Sequence, residues 1–101
     1  MQESDVLHQV CELLASELGS HKLFIFGSRA TGKANEFSDF DLLVDAGKPI
    51  EENVMKRIRQ RIEKLNTLYK VDIVDAKVAD ETFLRTIRGD LKRVVNGRIE
   101  T

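Results

Sequence analysis

Only one cysteine, Cys11, occurs among the 101 residues, which excludes an intrachain disulfide. No apolar run approaches the roughly 20 residues that a membrane helix needs. The opening Met1-Gln2-Glu3-Ser4-Asp5 is acidic and lacks an apolar segment, so no secretory signal is expected there and a cytoplasmic location is. An excess of one charge is missing too. The net charge of −1 argues against broad electrostatic binding of nucleic acid. Repeats, low-complexity tracts and linkers are absent, so residues 1–101 read as a single domain, near the lower end of comfortable one-core size. A P-loop is missing as well, because Gly32-Lys33-Ala34 does not supply the Gly-Lys-Ser/Thr element at the required spacing.

What the chain does have is an ordinary globular balance, 42% apolar and 33% charged. Charge is unevenly spread. Residues 1–50 hold eight acids against four bases, and residues 51–101 hold nine acids against twelve bases. Solvated helix faces are the default reading of that basic half. Residues 4–18 repeat Val6, Leu7, Val10, Leu14 and Leu18 at helical spacing, with Ser4 as cap and Gly19 as stop. Leu23-Phe24-Ile25-Phe26 is a continuous apolar run ending at Gly27, the pattern of a strand buried on both faces. A helical turn over 28–33, a strand over 39–45 broken by Gly47-Lys48-Pro49, a helix over 50–66 and a strand over 70–75 follow. A last helix is expected from an Asp80 cap through Asn96, with Phe83, Ile87, Leu91, Val94 and Val95 inward, despite the roughly 1 kcal/mol cost of Gly89 in its interior. The order αβ(α)βαβα describes an α/β (α+β) domain, a small mixed β-sheet with helices mainly on one face.

Chemistry concentrates where the second strand begins. Successive strand side chains alternate in direction, so Asp39 and Asp41 project to one side and Phe40, Leu42 and Val44 to the other. Two neighbouring carboxylates raise each other's pKa unless a cation intervenes. Mg²⁺ suits them, since it takes one or two protein carboxylates plus substrate phosphates. A bare Asp-x-Asp is far more often a solvated pair on a wet face. The Gly27-Ser28 bend ten residues upstream changes that weighting. Gly27 lets a phosphate approach the backbone, helix-start amides and the Ser28 hydroxyl can donate to it, and Arg29 can add charge or form an exposed salt bridge. A third carboxylate is sought on the third strand. Asp72 and Asp75 have opposite parity, and Asp72 is preferred because Val71 and Ile73 make a core pair opposite it. Asp45 reads as a surface residue.

Gly-Ser, ten residues, Asp-x-Asp and a later Val-Asp-Ile-Val strand resemble the nucleotidyltransferase superfamily of the DNA polymerase beta type. The wording Gly-Ser-Arg-Ala-Thr-Gly followed by Ser-Asp-Phe-Asp-Leu-Leu-Val is similar to that of the minimal nucleotidyltransferases, the MntA-like antitoxin partners of HEPN-domain toxins. The resemblance covers residues 21–76. It implies the polymerase beta-like fold, with Gly27 and Ser28 on the β and γ phosphates of ATP. It implies Asp39 and Asp41 bridging two Mg²⁺ ions, and Asp72 completing the second metal site and helping to deprotonate the acceptor. The implied reaction is in-line attack on the α-phosphate with pyrophosphate leaving. The implied acceptor is a tyrosine of a partner HEPN toxin, with no direct role for nucleic acid or membrane. Only one helix and a short tail are expected after Asp75, so a second copy or a different protein must finish the acceptor site, in a homo- or hetero-oligomer. Two alternatives stay open: an antitoxin that neutralises by binding alone, and nucleotidyl transfer to a small molecule. His8, His21, Cys11 and Tyr69 read as packing or surface residues. Arg85, Arg88, Lys92 and Arg93 remain candidates to meet a partner.

Overall fold

The computed structural model describes residues 2–65 and 67–100. Its elements are α1 (Glu3–Leu18), β1 (Lys22–Phe26), α2 (Ser28–Thr31), β2 (Phe40–Asp45), α3 (Glu52–Glu63), β3 (Val71–Asp75), α4 (Glu81–Ile87), a 3-10 turn over Arg88–Asp90, β4 (Lys92–Val95) and β5 (Arg98–Ile99). The strands form one mixed five-stranded sheet in the order β3-β2-β1-β4-β5. Only β2 and β3 run parallel. That pair has α3 as its crossover, as parallel neighbours require.

Alternation along the strands builds two cores. On one face Leu23, Ile25, Phe40, Leu42, Val44 and Ile73 pack against Val6, Val10 and Leu14 of α1 and Met55, Ile58 and Ile62 of α3. On the other, Phe24, Phe26, Leu43 and Val74 meet Phe83, Leu84 and Ile87 of α4. The two long helices therefore share one face, and β1 is apolar from Leu23 to Phe26 because both its faces are covered there. Charge reinforces the helix pair: Glu17 of α1 accepts from Arg57 Nε at 2.8 Å and Arg61 Nη1 at 3.1 Å, both of α3. The Arg57 guanidinium first, and Arg61 with it, hold the Glu17 carboxyl below its ordinary range against the opposing effect of burial.

Three expectations need correction. Helix α1 starts at Glu3, and Gln2 rather than Ser4 precedes it, with the Gln2 N–H donated to Asp5 Oδ2 at 2.9 Å. Helix α3 is shorter than expected, running from Glu52 to Glu63, and the expected end at Asn66 lies outside the described residues. The largest difference is at the C-terminal end. The Asp80 cap is present, its carboxylate accepting from the Thr82 and Phe83 amides, but the helix stops at Ile87. Gly89 falls in the 3-10 turn, and residues 92–99 are a β-hairpin. Asn96 and Gly97 have φ of 49° and 81°, the two positive values a tight two-residue hairpin turn demands. Asn-Gly is the strongest short hairpin signal a sequence carries. The i, i+4 spacing of Phe83, Ile87 and Leu91, which points to a longer helix, is coincidental beyond Ile87. Val94 enters the core by pairing with Leu23 of β1. So more follows Asp75 than one helix and a tail.

Candidate active site

Strand β1 ends at Phe26, and Gly27 then turns the chain with φ 75° and ψ −154°, a combination essentially reserved for glycine. It hands over to the single turn α2, whose Ala30 and Thr31 amides bond back to the Gly27 carbonyl. Gly32 closes that turn in the left-handed conformation. The missing Gly27 Cβ has a specific use: such an atom would stand 2.6 Å from Asp41 Oδ2. Glycine therefore brings the first bend and the strand β2 carboxylate into close approach. The Ser28 hydroxyl has no hydrogen-bond partner among the described residues, which leaves it free for a ligand.

Asp41 stands opposite Phe26 across the antiparallel pair and opposite Asp72 across the parallel pair. Cross-strand partners share a face, so Asp41 and Asp72 project together. Burial first, then the charges of Asp72 and Asp39, push the Asp41 pKa up, opposed by Lys70. Asp39 lies just before β2 and is exposed. Asp72 is 48% exposed, with Lys70 Nζ at 3.7 Å. Asp75 goes elsewhere. It is 4% exposed, and its oxygens accept from the Ile50 amide at 2.8 Å and the Lys77 amide at 2.9 Å. Its work is to tie the start of α3 to the end of β3. Asp45 is half-buried and accepts from Gly47.

Arg29 corrects the reading of a phosphate ligand or an exposed ion pair. Its side chain is 5% exposed and its guanidinium is engaged inside the protein. Nε and Nη2 donate to the Ser38 carbonyl at 3.0 and 2.8 Å, and Nη1 donates to Glu3 at 2.8 Å. The cation lies 4.0 Å over the Phe40 ring and 5.1 Å from that of Tyr69. Tyr69 packs edge-on against Phe40, as a core-edge ring. His8 pairs with Glu12 on the α1 surface and His21 bonds the Gly19 carbonyl. Burial pushes the Cys11 thiol up, so it is no nucleophile. The basic set expected on one helix is divided, Arg85 on α4, Arg88 on the 3-10 turn, Lys92 and Arg93 on β4.

A cleft of about 470 Å³ lies along β3, lined by Asp41, Asp72, Phe26, Val74 and Phe83 and reaching Arg59 and Glu63 of α3. That is within the range of small-molecule sites, roughly 300–1,000 Å³. Among the described residues no group of three or more His, Cys, Asp or Glu side chains is placed to hold a metal ion by itself. The donors fit Mg²⁺ nonetheless. They are all carboxylate oxygens, and the ion fills its shell with water and substrate phosphate rather than a full protein cage. Asp41, half-buried between two like charges, has the conflict that a divalent cation resolves.

The model of the family "Polymerase beta, Nucleotidyltransferase" matches residues 8–98, and the chain belongs to that family. It is 28% identical over 86 residues to "Probable protein adenylyltransferase MntA" of Haemophilus influenzae, covering 85% of this chain and 75% of that one. Two solved structures share the fold. One is the Shewanella oneidensis MNT antitoxin in complex with tri-AMPylated HEPN toxin, with a TM-score of 0.69, 18% identity, and 91% and 71% coverage of the two chains. The other is a toxin–antitoxin complex with AMP-PNP, with a TM-score of 0.70, 21% identity, and 86% and 70% coverage. No helix among the described residues is long and apolar enough to cross a membrane.

Proposed function

We propose that this chain is a protein adenylyltransferase that transfers AMP from ATP to a hydroxyl, a tyrosine of a partner HEPN toxin, and so acts as its antitoxin. One observation carries the reading: Asp41 is held against Gly27 on one side and in register with Asp72 on the other, within a family of nucleotidyltransferases. The likeness to the Haemophilus adenylyltransferase supports AMP as the transferred group and a protein as acceptor. The likeness to chains solved with AMPylated HEPN toxin and with AMP-PNP supports the partner and ATP.

The roles follow from placement. Gly27 gives the triphosphate access to backbone amides, and the unpartnered Ser28 hydroxyl donates to a phosphate oxygen. Asp39, Asp41 and Asp72 would hold two Mg²⁺ ions, which would supply charge stabilisation for the entering and leaving oxygens. The acceptor oxygen attacks the α-phosphorus, a new P–O bond forms, and the bond to the β-bridging oxygen breaks to release pyrophosphate. Asp72, about half exposed and in register with Asp41, takes the hydroxyl proton. Residues 1–101 act as one catalytic unit, in a hetero-oligomer with the toxin, in the cytoplasm where ATP is made and used.

The test is transfer of α-labelled AMP to the purified toxin, with Asp39→Asn and Asp41→Asn as controls. Label on a toxin tyrosine with wild type and none with either variant is the expected result. Full neutralisation by both variants without label would instead leave an antitoxin that works by covering its partner. Label on a small-molecule hydroxyl with the isolated chain would move the acceptor away from protein.

A further inference from the structure

Arg29 is a desolvated cation at the foot of the site, and its cost of burial must be offset by specific contacts. It has them on three sides. The Nε/Nη2 fork closes on one carbonyl, that of Ser38; Nη1 pairs with Glu3 of α1; the planar cation lies flat over Phe40. Among the described residues, the other hydrogen bonds of the segment it grips are internal to it. The Asn35 amide donates to Ser38 Oγ, the Ser38 amide to the Asn35 carbonyl, and the Phe37 amide to Asn35 Oδ1. Asp39 comes directly after this turn and precedes Phe40, whose amide bonds the Lys70 carbonyl at 2.9 Å. The Asp39 backbone is thus pinned on one side by Arg29 and on the other by β3.

We propose that Arg29 is a positioning residue, which fixes the Ser38–Asp39 backbone relative to Asp41 and links the start of α1 to the acid pair. It acts through the Ser38 carbonyl and makes no contact with nucleotide. The catalytic consequence rests on the adenylyltransferase reading; the structural clamp does not. Lysine keeps the charge but cannot close a planar fork on one oxygen, so Arg29→Lys is the informative variant.

Amide hydrogen exchange over residues 35–40 reads the clamp without any reaction. Arg29→Lys is expected to speed exchange at Ser38 and Phe40 roughly tenfold or more, the equivalent of losing a hydrogen bond to a charged group. Unchanged exchange overturns the proposal, whether or not the protein transfers AMP. In the transfer assay the same variant is expected to lower kcat roughly 10- to 100-fold, the scale of a misplacement near 1 Å. ATP affinity, by equilibrium dialysis, stays within about twofold of wild type because the binding amides are untouched. Weakened ATP binding with kcat retained makes Arg29 a phosphate ligand and overturns the proposal. Should Arg29→Lys fail to fold, Glu3→Gln decides. It removes only the Nη1 partner, and exchange over 35–40 rises about two- to fivefold, as for a half-exposed ion pair; no rise overturns the clamp.

Discussion

Asp75 is almost wholly buried, and each of its oxygens accepts a backbone N–H, from Ile50 and from Lys77. Asp41, on the adjacent parallel strand, is half-buried, accepts no hydrogen bond among the described residues, and faces two like charges. One sheet thus carries a carboxylate whose partners are all internal and another whose needs are left unmet by the protein. The first stabilises the fold. The second is held in an unfavourable state that a ligand can relieve, which is how a binding site differs from a structural one.

The sharpest way to break that contrast is Asp41→Asn. Transfer of AMP should fall on the order of 10³-fold, about 4 kcal/mol of barrier. The same variant should melt above wild type when no ligand is added. A raised folded-state pKa means that ionising Asp41 costs stability once pH exceeds the unfolded value, and asparagine removes that cost. A thermal melt alongside the transfer assay checks both; lower stability would show that Asp41 also serves the fold. Asp75→Ala should do the reverse. It leaves the part-buried Ile50 and Lys77 amides without their acceptor and costs about 1–3 kcal/mol in chemical denaturation. Chain that remains folded should still transfer AMP.

Gly27→Ala joins the two ends of the comparison. The bend is strained for any side chain, at about 1–3 kcal/mol, and the new Cβ would displace the Asp41 carboxylate. Both denaturation midpoint and transfer rate should drop. The smallest effect belongs to Glu17. Its pKa is lowered by Arg57 and Arg61, so its contribution is fully present above the unfolded value near 4.3 and is lost as pH falls through the lower folded value. Glu17→Gln should lower the denaturation midpoint only slightly at neutral pH, and the difference from wild type should vanish in acid denaturation.

The site was legible because its signals are local. Strand parity alone sends Phe40, Leu42 and Val44 to the α1/α3 core and Asp41 to the opposite face, and it pairs Val71 and Ile73 against Asp72. What stayed hidden depends on distant chain. Nothing near Arg29 announces that Glu3, Phe40 and Tyr69 will enclose it. Nothing in Gly27 says that its missing atom makes room for a side chain fourteen positions on. The last strands were lost for the opposite reason. Their turn, Asn96-Gly97, was in plain view, yet β4 gains its meaning only by covering the side of β1 that β2 leaves open.

Strand β3 has β2 on one side and no strand on the other, among the described residues. A bare margin of peptide groups invites another chain to zip onto it, the first step toward stacking of copies. Arg59 reaches across from α3 to the Ile73 carbonyl at 3.3 Å, putting a bulky cation over that margin. The cleft along β3 therefore shares its margin with an open sheet edge, and the Arg59 side chain covers part of that edge.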